Sequence, residues 1–166
     1  IDPEKLNAFE VGYKTAGATV QFNASVFYYD YKDMQVSSFN GTQALTVNAA
    51  ASTIYGGDFQ LTTLVAEGLT LGLGAAYTPG EYDEFPGSQA RNLDPTSPTY
   101  LQIVNSDASN NPMMRTPEIT GIANLAYERP LPAGALRLNA DYYYTDSFYF
   151  DPNEQFAQLP NHCARG

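Results

Sequence analysis

From Thr19 to Tyr28 the chain alternates strictly. Val20, Phe22, Ala24, Val26 and Tyr28 take one side, and Thr19, Gln21, Asn23 and Ser25 take the other. A period of two sustained over about ten residues predicts a β-strand with one apolar and one polar face. Five apolar positions in succession span roughly 30 Å at about 3.3 Å per residue, longer than an average globular strand. The pattern then breaks into Phe27, Tyr28, Tyr29 and Tyr31, with the charges of Asp30, Lys32 and Asp33 among and after them. An apolar face that ends in aromatics and then charge suits a strand crossing a bilayer in a barrel. A long hairpin laid on a soluble core would alternate in the same way.

Five further segments carry a strand signal, which predicts six long strands over 4–15, 18–38, 44–64, 69–78, 118–128 and 135–150. In the first, Phe9, Val11 and Tyr13 oppose Glu10, Gly12 and Lys14. The third places Tyr55, Gly57, Phe59, Leu61 and Thr63 against Gly56, Asp58, Gln60 and Thr62, and its Asn48 and small run 49–52 suggest a bulge. The fourth alternates most cleanly, Leu69, Leu71, Leu73, Ala75 and Tyr77 against Thr70, Gly72, Gly74 and Ala76. Glycine and alanine fill a packed core poorly, but they suit a wall against which something bulky lies. The fifth sets Ile119, Ala123, Leu125 and Tyr127 outward and Asn124 and Glu128 inward. The sixth sets Leu136, Leu138, Ala140, Tyr142 and Tyr144 against Arg137, Asn139, Asp141 and Tyr143, and ends in Phe148, Tyr149 and Phe150.

The connections alternate in length: Ala16-Gly17, the Asn-Gly turn at 39–42, the turn at 65–68, a long loop over 79–116, and the turn at 129–134, with 151–166 read as loop. Short turns on one side and long loops on the other match the two sides of an outer-membrane barrel. A structureless loop this long counts against a compact soluble domain. The expected fold is therefore all-β: an antiparallel up-and-down meander of about six long strands. Six strands cannot close a membrane barrel, and open edges are untenable in lipid, so a fragment of a larger barrel is expected.

Composition agrees. No run of 18 apolar residues occurs, which excludes a helical span, while 13 Tyr and 9 Phe supply interface aromatics. A net charge of -10 argues against a nucleic-acid partner. Glu81, Asp83, Glu84, Asp94 and Asp107 gather in the long loop, more simply a solvated acidic surface than a divalent-cation site. The single cysteine, Cys163, has no disulfide partner, and His162 beside it makes too small a ligand set for a metal. The opening IDPEKLNAFEVGYK has neither the basic nor the apolar region of a secretory signal, as expected of a mature or excised chain.

Several motifs resemble one family, the TonB-dependent outer-membrane receptors. Pro3-Glu4 precedes Glu10, Gly12 and Lys14. Asn23, Ser25, Phe27, Asp30, Tyr31, Asp33 and Gln35 follow the next strand's pattern, and Asn48-Ala49, Ile54, Gly56 and Asp58 a third, with Asp where Glu is commoner. Tyr144-Thr145-Asp146-Ser147-Phe148-Tyr149-Phe150 is similar to the family's Tyr-x-Ser/Asp-x-Tyr-Tyr strand pattern. The resemblance covers about residues 1–150. It implies the C-terminal part of a 22-stranded transmembrane β-barrel, a fragment lacking the plug domain, in the outer membrane of a Gram-negative bacterium. The expected function is energy-coupled import of a scarce nutrient, a ferric siderophore or similar, with outer-membrane lipid, the receptor's own plug and through it TonB as partners.

These motifs mark architecture: Gly12 and Gly56 for packing or strand curvature, and Asp30, Tyr31 and Asp33 for the membrane interface. Gln21, Asn23, Asp58, Gln60, Arg137, Asn139 and Asp141 would face the plug or lumen. Tyr82, Phe85, Arg91 and Tyr100 of the long loop could touch a ligand, though no spacing singles them out. No catalytic, cofactor or metal residues are assigned, because no Ser-His-Asp order, phosphate loop or paired carboxylates stand out. The alternative is a soluble secreted β-rich binding module, an adhesin or glycan binder, in which Val20, Phe22, Val26, Leu69, Leu71, Leu73, Leu136 and Leu138 would pack on one another.

Overall fold

The computed structural model describes residues 2–40 and 43–166, and the side chains of all of these except 37–40, 43–47 and 49. Twelve strands occur in this order: β1 (Lys5–Ala16), β2 (Val20–Asn40), β3 (Gln43–Ala66), β4 (Leu69–Tyr77), β5 (Gly80–Glu84), β6 (Pro86–Arg91), β7 (Ile103–Asp107), β8 (Ile119–Leu131), β9 (Gly134–Thr145), β10 (Phe148–Tyr149), β11 (Ala157–Gln158) and β12 (Asn161–Arg165). One eight-stranded antiparallel sheet runs β1-β2-β3-β4-β8-β9-β12, with β5 also paired to β3. The pairs β6-β7 and β10-β11 form two small sheets of their own.

Register joins the alternating faces into two continuous surfaces. Val26 opposes Val11 on one side and Gly57 on the other, and Phe59 opposes Ala75. Leu71 then opposes Leu125, and Leu125 opposes Ala140. Directly opposed residues share a face, so the apolar positions of six strands, β1 to β4 with β8 and β9, form one surface. It is open: Val11 is 73% exposed, Val26 60% and Leu138 56%. The leucines Leu71, Leu73, Leu136 and Leu138 lie side by side in a single sheet, so the two-layer sandwich expected of a soluble binding module is not what forms.

The tight turns gather at one end. Gly17 N–H donates to the Val20 carbonyl at 2.7 Å, Glu67-Gly68 joins β3 to β4, and Pro132-Ala133 joins β8 to β9. Gly68 has φ +73°, and a Cβ there would lie 2.1 Å from the Glu128 carbonyl oxygen, so the turn and its neighbouring strand together require glycine. At the opposite end β2 and β3 run far past Tyr77, the last residue of β4. The Asn-Gly turn expected at 39–42 has Gly41 and Thr42 outside the described residues.

Three expectations are corrected. The segment 79–116, expected as loop, contains β5, β6 and β7. After Thr78-Pro79 the chain resumes β4's course along β3, because the edge of β3 past Gly57 is free to accept it. The hairpin of β6 and β7 carries no apolar alternation in its sequence, PGSQAR and IVNSD, and is held by backbone pairing. The tail, also expected as loop, contains β11 and β12, and β12 pairs with β9 from Asn161 opposite Thr145 to Arg165 opposite Asp141. The sixth expected strand accordingly stops at Thr145, and its aromatic end forms the separate hairpin β10-β11.

Candidate functional site

Opposite the apolar face, register collects the polar one. Asn23 opposes Gln60, Ser25 opposes Asp58, Asn124 opposes Asp141, and Glu128 opposes Arg137. The expected inward residues Gln21, Asn23, Asp58, Gln60, Arg137, Asn139 and Asp141 therefore share one surface. Hydrogen bonds cross it: Ser25 to Asp58, Asn124 Nδ2 to Asp141 Oδ1 at 2.5 Å, and Arg137 Nη2 to Glu128 Oε1 at 3.0 Å. Gly72 and Gly74 leave a shallow groove of about 390 Å³ between Gln60 and Asn124. On this face the Asn23 Oδ1, buried, meets no donor among the described residues.

A second cavity, about 620 Å³, lies where the long loop meets the extended ends of β2 and β3. A bulge places it. Asp33 adopts φ 57°, and register slips between Tyr31 and Met34 and again between Met34 and Gln35. Asn48 Nδ2 donates to the Asp33 carbonyl at 2.5 Å and holds the distortion. Met34 thereby opposes Ala50, on the polar face with Ser52, whose hydroxyl donates to Met34 Sδ at 3.1 Å. Tyr82 of β5 opposes Ser52. It stacks edge-on against Phe85 with ring centroids 5.1 Å apart, and the two close a small core with Ala50 and Ala108. Met34, Val36 and Met113 pack around it. The loop thus folds over the outer end of the polar face.

Of the four ligand candidates read from the sequence, Tyr82, Phe85 and Arg91 line this cavity and Tyr100 does not. Tyr82 and Phe85 are only 2% and 6% exposed, so they chiefly build the wall. Burial raises the Tyr82 phenol above its ordinary pKa, opposed by a backbone hydrogen bond from Met114. Met34, Gln35, Val36, Gln89, Ala90, Ile103, Met114 and Pro152 complete the lining and were missed. No local pattern marks them, since the bulge and the β6-β7 register bring them together.

The wall is clamped from behind by the turn 151–156. Gln155 accepts from Arg91 N–H at 2.9 Å and returns a hydrogen bond to the Arg91 carbonyl at 2.6 Å, so one side-chain amide covers β6 as a neighbouring strand would. Asn153 accepts from buried Ser88 at 2.9 Å and donates to the Gln89 carbonyl at 3.1 Å. Asn111 donates to the Pro152 carbonyl at 2.8 Å. Asp151 shapes the turn by accepting from the amides of Asn153, Gln155 and Phe156.

The acidic residues of the loop do not converge. Asp94 and Asp107 each accept hydrogen bonds from their own turns, from Thr96 and Ser109, which hold both carboxyls below the ordinary aspartate range. Asp83 and Glu84 instead line an outer cleft with Asp30, Asp33 and Lys32. Among the described residues no group of three acidic, histidine or cysteine side chains could hold a metal. His162 lies over Tyr142 at 6.4 Å, and Cys163, the next residue in the strand, takes the opposite face.

The described fold has close structural likenesses. It superposes on the ferric yersiniabactin uptake receptor FyuA of Yersinia pestis with a TM-score of 0.74 at 18% identity, over 97% of this chain and 21% of that one. The siderophore receptor PiuA of Acinetobacter baumannii gives 0.74 at 20% identity, over 99% and 22%. The copper transporter OprC gives 0.67 at 14%, over 99% and 22%. The chain thus spans about a fifth of the length of the structures it matches. No match is found among curated protein sequences. The profile described as TonB dependent receptor-like, beta-barrel matches residues 1–162. A two-faced antiparallel meander, tight turns at one end and long excursions at the other, and a sequence profile matched along nearly its whole length establish that this chain belongs to the TonB-dependent receptor β-barrel family.

Proposed function

We propose that residues 1–166 are a wall segment of an outer-membrane, TonB-energised receptor that imports a scarce nutrient, a ferric siderophore or similar small molecule, and that the segment binds and conducts rather than catalyses. The observation that carries this reading is the separation of faces across six strands, with open leucines and aromatics on one surface and most of the amides and charges on the other. Lipid suits the first: Tyr28 and Tyr55 oppose each other at its outer end, beside Tyr77, as an interface girdle requires. A plug domain suits the second, where its donors would meet the groove over Gly72 and the unpaired Asn23 Oδ1. The segment 79–116 then lies on the extracellular side of a Gram-negative outer membrane, and TonB acts through the plug. FyuA, PiuA and OprC, whose names state iron, siderophore and copper traffic, support the substrate range.

The test is uptake by cells expressing the full-length receptor that contains this segment. Loss of accumulation when TonB is deleted, with the barrel still in the outer membrane, is expected. Accumulation indifferent to TonB would overturn the proposal.

A further inference from the structure

We propose that the 620 Å³ cavity under the loop is a binding site for a compact organic carboxylate with an apolar or aromatic body, its charge held by Arg91. The inference rests on the receptor reading only for how such a ligand is delivered, since the binding itself belongs to the cavity.

Its volume falls within the roughly 300–1,000 Å³ typical of small-molecule sites. The walls are mostly apolar, from Met34, Val36, Phe85, Ile103 and Met114, with Tyr82 behind them. Such a lining favours an apolar body by removing its surface from water. Polar residues in the lining are few: Arg91, Gln89 and Gln35, whose side-chain amide donates to the Asp2 carbonyl at 3.2 Å. No carboxylate lines the cavity, in a chain whose net charge is -10. The carboxylates collect elsewhere, in the outer cleft of Asp30, Asp33, Asp83 and Glu84. Among the described residues Arg91 takes part in none of the ion pairs. Its charge is permanent, and its planar fork matches a carboxylate in two-point contact.

The guanidinium is also positioned. Arg91 Nη1 donates to the Leu101 carbonyl at 3.0 Å, while Gln155 grips both main-chain groups of the same residue. Ile103 opposes Arg91 across the β6-β7 pair, which sets the cation beside the apolar wall. A site whose charged group is held before the ligand arrives spends less of its interaction energy on ordering. One cation beside an apolar wall that stays open to solvent at Ile103 and Met114 favours a single negative charge on a hydrophobic frame.

The experiment titrates 2-naphthoate and its neutral isostere 2-naphthamide into the full-length receptor in lipid nanodiscs, followed by calorimetry. Naphthoate is expected to bind at least tenfold tighter than naphthamide. Arg91→Gln is expected to bring naphthoate to the naphthamide level. Because Arg91→Gln also loses the bond to Leu101, Met114→Glu supplies a second variant that sets a carboxylate in the lining and leaves Arg91 in place. It should weaken naphthoate about tenfold and naphthamide little. Equal binding of the two probes, binding of neither, or naphthoate affinity unmoved by either substitution would overturn the assignment. TonB-independent uptake with this binding intact would remove the transport reading alone, and TonB-dependent uptake without naphthoate binding would remove this one alone.

Discussion

Two glycines that look equivalent in sequence have different physical standing. At Gly56, φ is +156°, and a Cβ would lie 1.9 Å from the Tyr77 carbonyl oxygen, where β4 gives way to the Thr78-Pro79 bend. At Gly12 the nearest atom to a Cβ is 3.6 Å away, an ordinary contact, so nothing in the structure requires glycine there. Gly56→Ala is expected to cost about 1–3 kcal/mol, as for other strained backbone positions. Gly12→Ala is expected to stay within about 0.5 kcal/mol. Urea unfolding of the full-length receptor in lipid reads both, and equal losses would show that the approach of Tyr77 to Gly56 does not constrain the strand.

At the scale of the element, alternation assigns each strand position to one of two faces, which the proposed receptor reading turns to lipid and to lumen. Leu71 sits on the apolar face between Thr63 and Leu125, and Gly72 sits on the polar face between Thr62 and Asn124. Leu71→Arg is expected to cost roughly 2–4 kcal/mol in membrane assembly. Gly72→Arg acts by crowding the groove instead, so it should reduce transport more than assembly. Heat-modifiability on gels separates the two, and equal tolerance would undo the assignment of faces. The loop hairpin follows another rule, since its edge strand is closed by side chains. Gln155→Ala removes two hydrogen bonds to Arg91. At about 1 kcal/mol each, amide exchange in β6 and β7 should quicken roughly tenfold or more while β8 and β9 are unchanged. Unchanged exchange in β6 would mean that the hairpin needs no clamp.

For the whole molecule, the open apolar surface is the dominant fact. Contiguous exposure of Phe9, Val11, Val26 and Leu138 far exceeds scattered surface hydrophobics and demands a cover. The expected cover is lipid, with further strands at the two edges, β1 and β12, completing the hydrogen bonding that a bilayer cannot supply. Residues 1–166 expressed alone should therefore aggregate or require detergent. A monodisperse monomer in plain buffer by light scattering would count decisively against this account.

Local alternation is enough to set the faces. A period of two is set by backbone geometry, so Val20 to Tyr28 and Leu69 to Tyr77 declare which side each residue takes without knowledge of their neighbours. Tight turns are likewise local, as Gly68 shows with its positive φ. Whatever depends on partners distant in the chain is set only on folding. β5 forms because β3 offers it an edge, and β12 because β9 does, although neither GEYDE nor NHCAR alternates as a membrane strand would. The loop cavity is the furthest case. Tyr82 and Arg91 were visible as candidates, yet Met34 reaches them through a bulge and Gln155 from 64 residues away. Pairing and amide clamps of that kind leave no periodic trace, because their energy comes from contacts that exist only once the chain has folded.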